Sequence, residues 1–120
     1  MVQILVVEDN ALLSGAIRDT LELDGYRVCV VTNGLQALEA FRHFRPELIV
    51  TDVAMPEMDG LDLYRRVRES SGMVIPFVFI SARSARDKAV EQIARTNSTY
   101  FLTKPFGPEE LLEAVRGFLR

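Results

Sequence analysis

The sequence predicts an α/β domain, a parallel sheet of five strands sandwiched between two layers of helices. Five short apolar runs alternate strictly with five segments of helical periodicity, and the connections between them are short. The run LIV, Leu48–Val50, is apolar without interruption, as strands buried on both faces of a parallel sheet are. Right-handed crossovers leave few ways to wind such a chain, although periodicity alone does not fix the strand order. At 120 residues the chain is expected to be one domain, residues 1–120, with a single core.

The first strand, β1, is Val2–Val7, apolar enough to be central. Glu8 and Asp9 follow at once, and Asn10 is placed to cap a helix. That helix, α1, lies between Asn10 and Asp24-Gly25, with Leu13, Ile17 and Leu21 at four-residue spacing and Ala16 beside them. Tyr26–Val31 is β2, and Thr32-Asn33-Gly34 marks the turn into α2, which carries Ala37, Leu38, Phe41 and Phe44 as far as Pro46. The stretch Glu47–Gly60, ELIVTDVAMPEMDG, holds β3 at Leu48–Val50. Asp52 stands where that strand emerges at the carboxyl edge, which is where ligands bind in open α/β sheets. Pro56 and Asp59-Gly60 force a loop before α3, about Leu61–Ser70, which presents Leu61, Tyr64 and Val67 and stops at Ser71-Gly72. The strand β4 is Pro76–Ile80 and runs into Ser81 and Ala82. A weaker helix, α4, about Ala85–Arg95, turns Ala85, Ala89, Val90, Ile93 and Ala94 inward and Arg86, Lys88, Glu91, Gln92 and Arg95 outward. After Thr96–Thr99 comes β5, Tyr100–Thr103, then Lys104, Pro105, Phe106 and Gly107. Pro108 opens α5, where its missing N–H does no harm, and Leu111, Leu112, Val115, Phe118 and Leu119 form the buried stripe.

A formal net charge of -3 and a pI near 5.2 argue against direct binding of nucleic acid, which needs a basic surface. The single cysteine, Cys29, sits in the apolar run VCVV and reads as a small buried hydrophobe, so no internal disulfide or cysteine-based metal site is expected. MVQILVV enters a core-like strand directly and lacks the pattern of a secretory signal, and no apolar run approaches the roughly 20 residues of a membrane span. The expectation is a cytoplasmic protein without a membrane partner.

All carboxyl ends of parallel strands share one edge, so residues just after the strands converge. Glu8 and Asp9 follow β1, Asp52 follows β3, Ser81 follows β4 and Lys104 follows β5. Carboxylates brought together raise one another's pKa unless a cation intervenes. Oxygen ligands without histidine or cysteine nearby suit Mg²⁺. A lysine at the same rim pairs with a carboxylate or a phosphoryl oxygen. Carboxylate, divalent cation, lysine and hydroxyl are the parts that phosphoryl transfer needs. Asp52 is the candidate nucleophile, and Glu8 and Asp9 are better placed to hold the cation. Each has a plainer reading: Ser81 as a strand-end hydroxyl bonded to backbone, Lys104 as a solvated charge, Glu8 and Asp9 as acids favoured at a helix N-terminus. His43, between Arg42 and Phe44, has no acidic or metal-binding neighbour in sequence, is expected to be exposed and is given no role.

ILVVEDN, LIVTDVAMPEMDG, FISA and YFLTKPF, in that order and each at a strand end, resemble the receiver domain of two-component response regulators, the CheY-like family, over essentially the whole chain. The resemblance implies a flavodoxin-like, doubly wound (βα)5 sheet of order 2-1-3-4-5. It implies that Asp52 accepts a phosphoryl group from a sensor histidine kinase or a phosphotransfer protein. Glu8, Asp9, Asp52 and the backbone carbonyl of Ala54 would bind Mg²⁺; Ser81 would hydrogen-bond the phosphoryl group and Lys104 would pair with it. Ser81 and Phe101 would be the switch residues, the Lys104-Pro105 bond would be cis, and the α4-β5-α5 face would control a homodimer, an effector domain or a partner. Such a protein is a phosphoacceptor switch that assists its own phosphorylation and dephosphorylation rather than an enzyme. The chain departs from the pattern at three places: Glu8-Asp9 for the more usual Asp-Asp, Asn97-Ser98 for Gly-Ala before β5, and Phe101 for the more frequent tyrosine.

Three rivals remain in view. A dehalogenase-type phosphatase also uses an Asp after a strand but needs a second acid two residues on, where Ala54 stands. A flavin- or nucleotide-binding module would place a glycine-, serine- or threonine-rich loop after β1, where Glu8-Asp9 would repel a phosphate lacking a metal. A receiver that binds partners without phosphorylation is the alternative within the same family.

Overall fold

Side-chain caps at three of the strand-to-helix turns set where the helices begin. The computed structural model describes residues 1–72, 74–82 and 98–119. Asn10 accepts the Leu13 N–H at 3.0 Å, Asn33 accepts that of Gln36 at 2.8 Å and Asp59 accepts that of Asp62 at 2.8 Å, each satisfying a donor the helix cannot use internally. The elements are β1 (Gln3–Val7), α1 (Ala11–Leu23), β2 (Arg27–Val31), α2 (Gly34–Ala40), β3 (Leu48–Asp52), α3 (Gly60–Ser71), β4 (Phe77–Ser81), β5 (Thr99–Thr103) and α5 (Pro108–Leu119). The predicted α4 lies outside the described residues, as does Asn97.

Most boundaries differ from the sequence reading by one or two residues, and α2 differs by more. It ends at Ala40, and the predicted continuation through Phe41 and Phe44 is a series of turns in which Arg42 N–H bonds Glu39 O and His43 N–H bonds Ala40 O. The i→i+3 bonds tighten this end of the helix. Phe41 and Phe44 still pack on the core, so the apolar stripe is real although the helix is short. Strands β3 and β4 extend further than predicted, which makes Asp52 and Ser81 the last residues of their strands rather than residues beyond them.

Every strand pair is parallel, and the order is β2-β1-β3-β4-β5, the flavodoxin-like arrangement. Registers Val31–Val7, Val7–Thr51, Thr51–Phe79 and Phe79–Phe101 align one row across the sheet. One face packs Leu5, Val7, Ile49, Phe77 and Phe79 against α2 and α3; the other packs Ile4, Val6, Leu48, Val50 and Ile80 against α1 and α5. Alternation along the strands sends successive residues to opposite faces, and helices on both faces explain the unbroken apolar runs. Cys29 is half-buried rather than buried, because β2 is an edge strand. Arg116 of α5 grips Asp24, the C-cap of α1, with hydrogen bonds from Nε at 3.0 Å and Nη2 at 2.5 Å, tying two helices of one layer together. Among the described residues no helix is long and apolar enough to cross a membrane.

The loop from β3 to α3 contains the one non-glycine residue with positive φ among the described residues, Glu57 at 68°. A side chain there costs about 1–2 kcal/mol, partly offset in glycine by its looser unfolded state. Glu57→Gly is therefore expected to stabilise the fold by about 0.5–1 kcal/mol, read as a higher urea midpoint at unchanged slope.

Candidate functional site

Parallel pairing carries four strand ends to one rim. Glu8 continues the β1–β2 ladder by donating its N–H to Val31 O at 3.0 Å, which fixes its backbone and leaves its side chain 1% exposed. Asp52 ends β3, where the Val53 N–H bonds Ile80 O at 2.9 Å, and is 6% exposed. Ser81 ends β4 and is 1% exposed; its carbonyl accepts the Lys104 N–H at 2.9 Å, which sets Lys104 beside it just after β5. Asp9 is exposed. The Lys104-Pro105 peptide is cis.

The Asp52 carboxylate is held at both oxygens. Oδ1 accepts the Ala54 N–H at 3.0 Å and Oδ2 accepts from Lys104 Nζ at 3.0 Å. Lys104 Nζ also stands 3.9 Å from Glu8 Oε1. Glu8 Oε2 accepts the Asn10 N–H at 3.0 Å, whereas Oε1 is buried with no hydrogen-bond partner. The Ser81 hydroxyl is buried and unpartnered as well. Carboxylate oxygens of Glu8, Asp9 and Asp52 lie within 4.8 Å of one another. Behind them, Thr51 Oγ1 donates to the Asp52 carbonyl at 3.0 Å, and the Gly60 Cα approaches so closely that a Cβ would stand 2.5 Å from that carbonyl oxygen.

Burial pushes the Glu8 carboxyl up from its ordinary 4.5 to about 7, the Asn10 N–H acting against that and the Asp52 charge adding to it. Burial opposes the charge on Lys104, yet the hydrogen bond and charge of Asp52, with Glu8 and Asp9 behind, outweigh it and hold the lysine above its ordinary value. The lysine is therefore fully charged, and its single positive charge faces three carboxyl groups, a surplus of acid. An orphaned carboxylate oxygen in an all-oxygen cluster with that surplus fits a hard divalent cation such as Mg²⁺.

Glu8, Asp9, Asp52 and Lys104 thus converge, and Ser81 ends the strand beside Asp52. Ala54 contributes its N–H to Asp52. Phe101 stands apart from the cluster: half-buried, it stacks on Phe79 with centroids 5.1 Å apart and planes at 20°. His43 is exposed and lies 3.8 Å from Glu39. The sequence reading gave Thr51 and the Asn10 N–H no part in the site and read Gly60 only as a loop residue. A threonine in an otherwise aliphatic strand and a glycine directly after Asp59 were the visible signals.

The sequence pattern of the response regulator receiver domain matches residues 4–116. Response regulator MprA of Mycobacterium sp. (strain KMS) is 37% identical over 119 residues, which cover 99% of this chain and 51% of that protein. The chain spans about half the length of the curated relatives it matches. The signal receiver domain of a signal transduction histidine kinase from Syntrophus aciditrophicus superposes with a TM-score of 0.86 at 32% identity, covering 99% of this chain and 90% of that one. The receiver domain of sensor histidine kinase PA1611 from Pseudomonas aeruginosa PAO1, which has a magnesium ion coordinated in its active-site cleft, gives 0.83 at 28% identity, covering 98% and 96%.

Because Glu8 holds its proton more tightly folded than unfolded, folding takes up a proton between about pH 4.5 and 7, and stability falls as pH rises through that window. In EDTA at pH 8, Glu8→Gln is expected to be more stable than the unaltered protein by on the order of 1–3 kcal/mol. The advantage shrinks towards pH 4.5, as urea melts at the two pH values would read. Gly60→Ala is expected to cost about 1–3 kcal/mol through forced displacement of the Asp52 carbonyl, visible as an amide shift at Val53.

Proposed function

The chain belongs to the response regulator receiver domain family, and on that premise we propose that Asp52 accepts a phosphoryl group from a phosphohistidine of a sensor histidine kinase or phosphotransfer protein, in a Mg²⁺-dependent reaction. Receiver domains act as phosphoacceptor switches rather than as enzymes in the ordinary sense. What supports the reading most is a pair of buried, unmatched groups: Glu8 Oε1, an acceptor without a donor, and Ser81 Oγ, a hydroxyl without a partner. Buried polar atoms without partners are costly and call for an explanation. A cation beside Glu8 and a phosphoryl oxygen beside Ser81 would satisfy both.

Glu8, Asp9 and Asp52 would hold the ion through their carboxylates and Ala54 through its carbonyl. Bound Mg²⁺ supplies positive charge that offsets the crowded acids and the phosphoryl oxygens. In the transfer, an Asp52 carboxylate oxygen forms a P–O bond as the P–N bond to histidine breaks. The electron pair of that bond returns to the imidazole nitrogen, which takes a proton from solvent. The Ala54 N–H and Lys104 aim the carboxylate beforehand, so little reorganisation accompanies attack. Ser81 then donates to a phosphoryl oxygen and Lys104 pairs with the new negative charge.

A phosphoryl group brings about −1.5 to −2 charge by analogy with other phosphorylated side chains. Drawing Ser81 towards it moves the end of β4 and the loop beyond, and Phe101 on the neighbouring strand senses the change. The face built by α4, β5 and α5 then alters and controls a second copy, an effector domain or another partner, with residues 1–120 acting as one receiver unit. Moving such a population from 1:99 to 99:1 takes about 5.5 kcal/mol of differential contact. A second reading within the same family is a binding module whose face is set without phosphorylation, with Phe101 packed on Phe79 in either case.

Incubation with acetyl phosphate and Mg²⁺ is expected to give a single phosphoryl adduct by intact-mass spectrometry. The adduct is absent in Asp52→Asn and in EDTA, and Ser81→Ala slows its formation by about tenfold to a hundredfold. An adduct that persists in Asp52→Asn overturns the assignment. Partner binding that is unchanged in Asp52→Asn supports the second reading.

A further inference from the structure

The residue that fixes the Glu8 carboxylate is Asn10, and it does so from a backbone that is itself pinned. Asn10 has an extended conformation, φ −78° and ψ 112°. Its side-chain Oδ1 accepts the Leu13 N–H at 3.0 Å and its carbonyl accepts the Ser14 N–H at 2.9 Å, so two of its groups are locked into the first turn of α1. The third, its own N–H, points back to Glu8 Oε2 at 3.0 Å. The carboxylate it holds is 1% exposed and its other oxygen has no hydrogen-bond partner, and a Glu8 carboxylate oxygen lies within 4.8 Å of those of Asp9 and Asp52.

We infer that Asn10 is a positioning residue for the metal site: by capping α1 it fixes the N–H that occupies one oxygen of Glu8 and so keeps the other free for the cation. The inference rests on the metal-binding reading of the rim. Released from Asn10, the Glu8 carboxylate gains freedom to turn towards Lys104, whose Nζ stands 3.9 Å from Oε1. An ammonium drawn to Glu8 competes with the Asp52 pair, which loosens the second ligand as well. A side chain that merely capped the helix would alter stability and nothing at the rim. Groups that orient metal ligands, by contrast, carry about tenfold or more in affinity.

The test is an amide chemical-shift titration of the isotope-labelled chain with Mg²⁺. Asn10→Ala is expected to raise the Mg²⁺ dissociation constant about tenfold, whereas Asn10→Ser, which keeps a capping oxygen, stays within about twofold. Ile17→Val serves as the control: it trims the buried face of the same helix, lowers stability without touching the cap, and leaves the dissociation constant unchanged. Unchanged affinity in Asn10→Ala overturns the inference, and so does an equal loss in Ile17→Val, which would make helix stability the cause. A lack of any Mg²⁺ response in the unaltered chain overturns the metal-site reading itself, and is distinguishable from both.

Discussion

The ion pair between Lys104 and Asp52 depends on, and in turn contains, a crowding of like charge that the sheet makes unavoidable. Parallel strands deliver Glu8, Asp9 and Asp52 to one edge, and their oxygens come within 4.8 Å. The fold tolerates this because Lys104 hydrogen-bonds Asp52 and lies within reach of Glu8, and because Glu8 can keep a proton up to about pH 7 when no other cation is near. A site held in this way is poised. Adding a divalent cation relieves repulsion that is already present, instead of creating a new set of contacts in a relaxed protein.

Stiffness around the carboxylate comes from the backbone more than from side chains. Asp52 has one oxygen on the Ala54 N–H, its carbonyl lies between the Thr51 hydroxyl and the Gly60 Cα, and the following N–H joins the ladder to β4. The close approach of Met58 to Gly34, where a Cβ would meet the thioether sulfur at 2.8 Å, packs the loop that carries these contacts against the start of α2, at the cost of a positive φ at Glu57. A loop packed this tightly has given up its conformational freedom at folding, which leaves the Asp52 carboxylate in a fixed place.

Rings form a second, softer path away from the rim. Tyr64 of α3 meets Phe77 edge-on at 5.1 Å, Phe77 stacks on Phe79 and Phe79 on Phe101. Arg68 lies over Tyr64 at 4.9 Å and also donates to Ser98 Oγ, so the end of α3 touches the entrance to β5. Phe101 has no hydroxyl to be drawn towards solvent, and stacking gives its ring a partner within the sheet layer. The contact between Phe101 and β4 is therefore one of packing rather than of a side-chain hydroxyl.

Five alternating apolar runs, the Asn10 cap and the acids, hydroxyl and lysine at strand ends were all legible in the chain itself, because period and residue type are local properties. So was the convergence of Glu8, Asp52 and Lys104, once parallel pairing was granted. Strand order was not legible from periodicity, since either neighbour of β1 buries the same aliphatic side chains. The length of α2 was missed because Phe41 and Phe44 pack equally well from a turn. The unmatched state of Glu8 Oε1 and Ser81 Oγ, the grip of Asn10 on Glu8 and the fit of Gly60 against the Asp52 carbonyl were decided only by the tertiary structure. Each depends on distances of a few ångströms and on side-chain orientations, which the order of residues along the chain does not set.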